Sequence, residues 1–120
     1  MEINFDNNIP IYIQLVETFK KDIISEKYKP GERILSVREL ALSMKVNPNT
    51  MQKALVELEN LKLIYTERTN GKYVTEDKDL IKKTKYEYAK EITDKYFSNM
   101  ESIGFDSLEV INYLKERNEK

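Results

Sequence analysis

Cysteine and histidine are both missing from the 120 residues. The first absence removes disulfides, thiolate nucleophiles and thiolate zinc sites, and the second removes the side chain most often used for proton transfer near neutral pH. No apolar run approaches the roughly 18 residues of a membrane span. The opening "MEINFDNN" carries acids where a secretory signal carries bases, so a cytoplasmic protein without membrane contact is expected. An excess of basic charge is also lacking. Residues 1–75 hold 11 basic and 10 acidic side chains, and residues 76–120 hold 9 and 11. A local basic patch is still available, because Arg33, Arg38, Lys45 and Lys53 face only Glu39 between positions 33 and 53.

Carboxylates are the raw material left for catalysis. The pairs Asp77/Asp79 and Glu57/Glu59 stand two residues apart, a spacing that sends them to different sides of a helix rather than to one metal or water. An enzyme is not expected, nor is any cofactor or metal. The length suits one compact domain with a small oligomerising appendage.

All six prolines and glycines fall at element boundaries. Pro10 suits the first position of a helix running to about Glu26, with Tyr12, Leu15, Val16, Phe19, Ile23 and Ile24 on its apolar face. Pro30-Gly31 ends that region in a turn. Ser36 and Glu39 form a capping box ahead of Val37, Leu40, Ala41 and Met44 at i, i+3, i+4, i+7 spacing. After a turn at about Lys45 and Val46, Asn47-Pro48 caps a third helix, and its Met51, Ala54, Leu55, Leu58 and Leu61 are expected to face inward.

A short capped helix, a tight turn and a longer capped helix have the spacing of a helix-turn-helix. Period alone leaves two consecutive core helices open. "LIYTERTNGKYVTE" then changes to strand-like residues around Asn70-Gly71, which suits a type I′ hairpin turn. Helix, helix and hairpin make a winged helix. The fold class expected is mainly α with a small β-hairpin: an N-terminal winged helix-turn-helix, residues 1–75, and a two-helix C-terminal dimerisation extension, residues 76–120.

The extension begins with a helix from about Asp77 to Ile103, ended by Gly104. Asp106 and Glu109 recap a final helix, where Phe105 and Val110 suit a hydrophobic staple and Leu108, Ile111 and Leu114 are expected to be buried. Two such helices cannot form their own core, so Tyr88, Ile92, Tyr96, Met100, Leu108, Ile111 and Leu114 are expected at a homodimer interface. The alternative is one monomeric core. A pocket for an unidentified small-molecule effector among Tyr86, Tyr88, Tyr96, Phe97 and Tyr113 competes with dimer packing for the same aromatics.

The N-terminal residues of the second helix of a helix-turn-helix meet base edges, which makes Asn47, Asn49, Thr50, Gln52 and Lys53 the candidate contacts to double-stranded DNA. Gln or Asn can bond adenine through two hydrogen bonds, Thr can meet a thymine methyl, and Lys can take phosphate or guanine. In the wing, Arg68, Asn70, Gly71 and Lys72 have suitable chemistry. A winged-helix module that binds protein instead of DNA is the competing reading, favoured by the near-neutral charge.

"IPIYIQLVETFKKDII", "KPGERILSVRELALSMKVNPNTMQKALVELENLKLI" and the closing "GKYV" resemble the DNA-binding domain of the GntR family of bacterial transcription regulators, over about residues 9–75. The motifs P-x-Y-x-Q, P-G-x-R, S-V-R-E-L-A, V-N-P-N-T and E-L-x-x-x-x-L-I occur in the family's order. The resemblance implies that Arg38, in S-V-R, lies close to DNA. The short remainder resembles the YtrA subfamily, which implies a small dimeric repressor, commonly of transporter genes. Leu35 departs from the family's usual Pro, and "ERTNGKYV" from its more Gly- and Arg-rich wing tip.

Overall fold

The computed structural model describes residues 3–68 and 70–119. Two compact units divide the chain, one as far as Lys83 and the other from Thr84 onward. The first contains α1 (Ile11–Ile24), β1 (Arg33–Ile34), α2 (Val37–Met44), α3 (Pro48–Asn60), β2 (Ile64–Glu67), β3 (Gly71–Val74) and the start of α4 (Lys78–Ser102). The second holds the rest of α4 and α5 (Ser107–Asn118).

Local chemistry sets the helix starts. The Gln14 side chain accepts from the Asp6 N–H and donates to the Asp6 and Ile9 carbonyls, each at 2.8 Å, tying the preceding segment to the first turn of α1. Ser36 Oγ accepts the Glu39 N–H at 3.2 Å, while the Ser36 hydroxyl donates to Glu39 Oε1 at 3.0 Å. Glu39 therefore meets the serine hydroxyl in place of the backbone N–H expected of a full box. Asn47 Oδ1 accepts from the Asn49 N–H at 2.7 Å, with Pro48 leading α3.

Three helices end in one way, with a left-handed residue followed by one whose N–H bonds the carbonyl five residues back. The bonds are Val46 N–H to the Ala41 carbonyl, Leu63 N–H to that of Leu58, and Phe105 N–H to that of Met100, each at 3.0 Å. Gly104 takes the left-handed position after α4 at φ 98°, but Lys45 and Lys62 take it after α2 and α3 at 56° and 66°. A Cβ there crowds the following carbonyl. Lys62→Gly is accordingly expected to raise stability by about 1 kcal/mol, read as a higher urea midpoint at unchanged slope; an unchanged midpoint would mean the strain is already relaxed.

The core of the first unit is one cluster. Leu15, Val16, Phe19 and Ile23 of α1 pack with Leu40, Ala41 and Met44 of α2 and with Met51, Ala54, Leu55 and Leu58 of α3. Ile34, Leu63, Ile64, Val74 and Ile81 complete it, so the first turns of α4 belong to this unit. Each full burial of a large apolar side chain stabilises by about 1.5–3 kcal/mol. Leu61, expected inside, is 37% exposed, because it caps α3 where the chain leaves the helix. Asp22 is buried at the rim of this core, 3.9 Å from the Lys27 ammonium. Burial pushes its carboxyl up, and Lys27 offsets part of the effect.

The sheet has three strands, not the two expected, in the order β1-β3-β2. All pairs are antiparallel: Ile64, Tyr65, Thr66 and Glu67 oppose Val74, Tyr73, Lys72 and Gly71, and Arg33 and Ile34 oppose Tyr73 and Lys72. At two residues, β1 is too short to show a period in sequence. The hairpin turn differs as well. The strands end at Glu67 and Gly71, the Asn70 N–H bonds the Glu67 carbonyl at 3.3 Å, and of the Asn70-Gly71 pair only Gly71 has positive φ. The connection is longer than a two-residue I′ turn.

In the second unit Asp106 and Glu109 form the expected capping box, each accepting the other's N–H at 2.8 and 3.2 Å. Val110 is buried, whereas Leu108, Ile111 and Leu114 are 67%, 43% and 38% exposed in the single chain. Two helices bury only the stripe where they meet, and these three side chains lie outside it. No helix among the described residues is long and apolar enough to cross a membrane.

Candidate nucleic-acid interface

The turn between α2 and α3 is three residues, Lys45 to Asn47, and the left-handed Lys45 reverses the chain within it. That geometry buries one stripe of α3 and leaves the opposite side open. Met51, Ala54, Leu55 and Leu58 are buried, Asn47, Asn49, Gln52 and Lys53 are exposed, and Thr50 is half-buried. Five expected contact residues thus share the N-terminal half of one helix. Asn47 uses its carboxamide oxygen on the Asn49 N–H, which leaves its NH₂ as a donor. Among the described residues no hydrogen bond occupies the Gln52 amide, which suits the paired contact that adenine offers.

Arg38 is exposed on α2, and no ion pair within 4.0 Å holds it among the described residues. Its neighbour Glu39, the obvious candidate to neutralise it, is turned to the Ser36 hydroxyl. Lys53 stands with Nζ 3.9 Å from the centre of the Tyr12 ring, a cation–π contact between α3 and α1. Tyr12 falls on the apolar stripe of α1, and no period in the sequence links it to Lys53.

In the wing, Arg68, Asn70 and Gly71 are exposed at the tip. The Asn70 amide donates to Glu67 Oε2 at 3.3 Å, and the Tyr73 hydroxyl donates to the Asn70 carbonyl at 3.3 Å. Tyr65 and Tyr73 stack with ring centres 5.7 Å apart. Lys72 lies elsewhere. Its ammonium bonds Glu59 of α3 and, at 2.9 Å, the Thr66 hydroxyl, which itself donates to Glu59 at 2.8 Å. Burial raises the Glu59 carboxyl's pKa, but the bonds from Lys72 and Thr66 and the Lys72 charge outweigh it, so the group ionises below its ordinary value. This cluster pins the hairpin to the end of α3 and puts Lys72 in the scaffold of the wing.

Residues 11–74 match the family described as bacterial regulatory proteins, gntR family. The chain belongs to the GntR family. It is therefore a winged helix-turn-helix transcriptional regulator and not an enzyme. A GntR family transcriptional regulator from Listeria monocytogenes shares 41% identity at a TM-score of 0.86, covering 93% of this chain and 98% of that one. The HTH-type transcriptional repressor YtrA of Bacillus subtilis is 39% identical over 77 residues, 64% of this chain and 59% of the repressor. The DNA-binding domain of AraR, solved in complex with operator ORR3, shares 26% identity at a TM-score of 0.54, covering 61% of this chain and 88% of that one.

The second unit of this GntR chain presents Tyr88, Tyr96 and Met100 half-buried and Ile92 exposed on α4, with Leu108, Ile111 and Leu114 exposed on α5. An open cleft of about 410 Å³ is lined by Phe97, Glu101, Gly104, Phe105, Asp106, Ser107 and Val110. Of the five aromatics expected at an effector pocket, Phe97 is the one that lines it.

Proposed function

We propose that this GntR regulator is a repressor that binds an inverted-repeat operator as a homodimer through its second unit. The observation carrying the reading is the open polar face of α3, with Asn49, Gln52 and Lys53 exposed opposite a buried stripe. Arg38 adds a charged fork with no acid paired to it among the described residues. The operator complex of the AraR domain supports the same use of the fold. Gln52 and Asn49 favour adenine, so the half-site contains A·T pairs.

Assembly is supported by the apolar surface of the second unit, where Val110 is the one buried apolar residue among those described. A second copy laid on Ile92, Leu108, Ile111 and Leu114 covers that surface and pairs two recognition helices about a two-fold axis. The two-fold axis of such a dimer is mirrored in the inverted repeat. The targets proposed are transporter genes, following the likeness to YtrA-type regulators.

The test is selection of duplexes from a random library, then titration at two salt concentrations with wild type, Arg38→Ala and Gln52→Ala. An inverted repeat should emerge. Gln52→Ala should lose about 1–3 kcal/mol with relaxed preference at one A·T pair, and Arg38→Ala a similar amount. Failure to enrich any sequence, or affinity indifferent to salt, would overturn the reading in favour of a protein-docking winged helix, to which the net charge of −1 lends weight.

A further inference from the structure

We propose that Arg33 of β1, and not Lys72, joins the exposed Arg68 in giving the wing its positive charge, and that Arg33 enters the DNA minor groove and favours a narrow, A·T-rich groove beside the half-site. The inference rests on the DNA-reading function proposed above. Four observations lead to it.

The first is that the Lys72 charge is already used. Its side chain is only 16% exposed and is paired with the Glu59 carboxylate, so it has little net charge left to offer a nucleic acid. The second is strand alternation. Ile64, Thr66, Lys72 and Val74 share the face turned to the core and α3. Arg33, opposite Tyr73 in register, belongs to the other face.

Third, the guanidinium reaches the tip. A Cβ placed on Gly71 would stand 3.5 Å from Arg33 Nε, 3.6 Å from Nη2 and 4.0 Å from Cζ. Gly71 has φ +100°, a conformation that favours glycine, and with no side chain there the guanidinium forms the outline of the wing at that point. Fourth, Arg33 is exposed, and no ion pair within 4.0 Å holds it among the described residues. The carboxylate of Glu67, the residue paired with Gly71, accepts the Asn70 amide.

A guanidinium suits this task better than an ammonium. It is planar, always charged and weakly hydrated, and the narrow minor groove of A·T tracts concentrates negative potential. A G·C pair puts an amino group into that groove and removes the advantage.

The experiment titrates wild type, Arg33→Ala, Arg33→Lys and Arg38→Ala against the selected operator and against a version with its flanking A·T pairs changed to G·C, each at several salt concentrations. Wild type should prefer the A·T flank by about tenfold. Arg33→Ala should lose that preference and flatten the salt slope by about one, while keeping its choice of half-site bases. Arg33→Lys should restore the slope but not the flank preference. Flank preference and slope unchanged in Arg33→Ala, with Arg38→Ala still impaired, overturn this inference and leave the DNA-reading function standing. If wild type binds no duplex, both fall.

Discussion

A chain carrying Ile111→Glu and Leu114→Glu is expected to sediment as a monomer and to bind a full inverted repeat on the order of 10²–10⁴ times more weakly than wild type. The two side chains stand three residues apart on α5, on neighbouring turns of one face, and both are exposed in the single chain. Buried between two copies, a carboxylate at either place would lose its water without gaining a partner, which costs several kcal/mol per ion. Val110 and the Asp106/Glu109 box are untouched, so α5 keeps its own start and its one buried anchor. The loss should be confined to bivalent binding. A duplex holding one half-site should bind wild type and variant alike, because the winged helix has not changed. Sedimentation and anisotropy titration on full and half operators separate the two terms. A variant that stays dimeric, or a wild type that is monomeric at operator-saturating concentrations, would place the assembly surface elsewhere or remove it.

Phe19→Ala should cost about 3–5 kcal/mol of folding stability. Phe19 is 1% exposed on α1, its ring stacked with Tyr28 at 6.1 Å between centres, in the cluster that α1 shares with α2 and α3. A domain of this size typically has about 5–15 kcal/mol in total, so the loss is a third or more of it. Urea unfolding followed by circular dichroism reads the change. A loss under about 1 kcal/mol would show that α1 moves inward to close the cavity. Because Phe19 is buried in the core while the polar residues of α3 are exposed, operator affinity of the folded fraction should be unchanged, which distinguishes this variant from Gln52→Ala.

The helices were legible because their signals are local. Ser36, Asn47-Pro48, Gly104 and the Asp106/Glu109 pair act on backbone groups within a few residues, and each does so in the structure. The buried stripes of α1, α2 and α3 were legible for the same reason, since 3.6-residue periodicity is a property of the segment itself. The candidate DNA face followed by subtraction: what the stripe of α3 does not bury faces out.

By itself, the sequence determined the order of the helices and the hairpin, the helix-turn-helix spacing, the wing's position and the polar residues of α3, all through bonds and periods spanning a turn or two. The tertiary structure alone decided which charges are available. Lys72 and Arg33 look alike in the chain, but Glu59, thirteen residues before Lys72, neutralises one, while the pairing of β1 with β3 across some forty residues carries the other to the wing tip. The same holds for Lys53, whose place over Tyr12 depends on α1 meeting α3. Contacts between distant segments leave no period in either segment, and a charge is set by its neighbours in space.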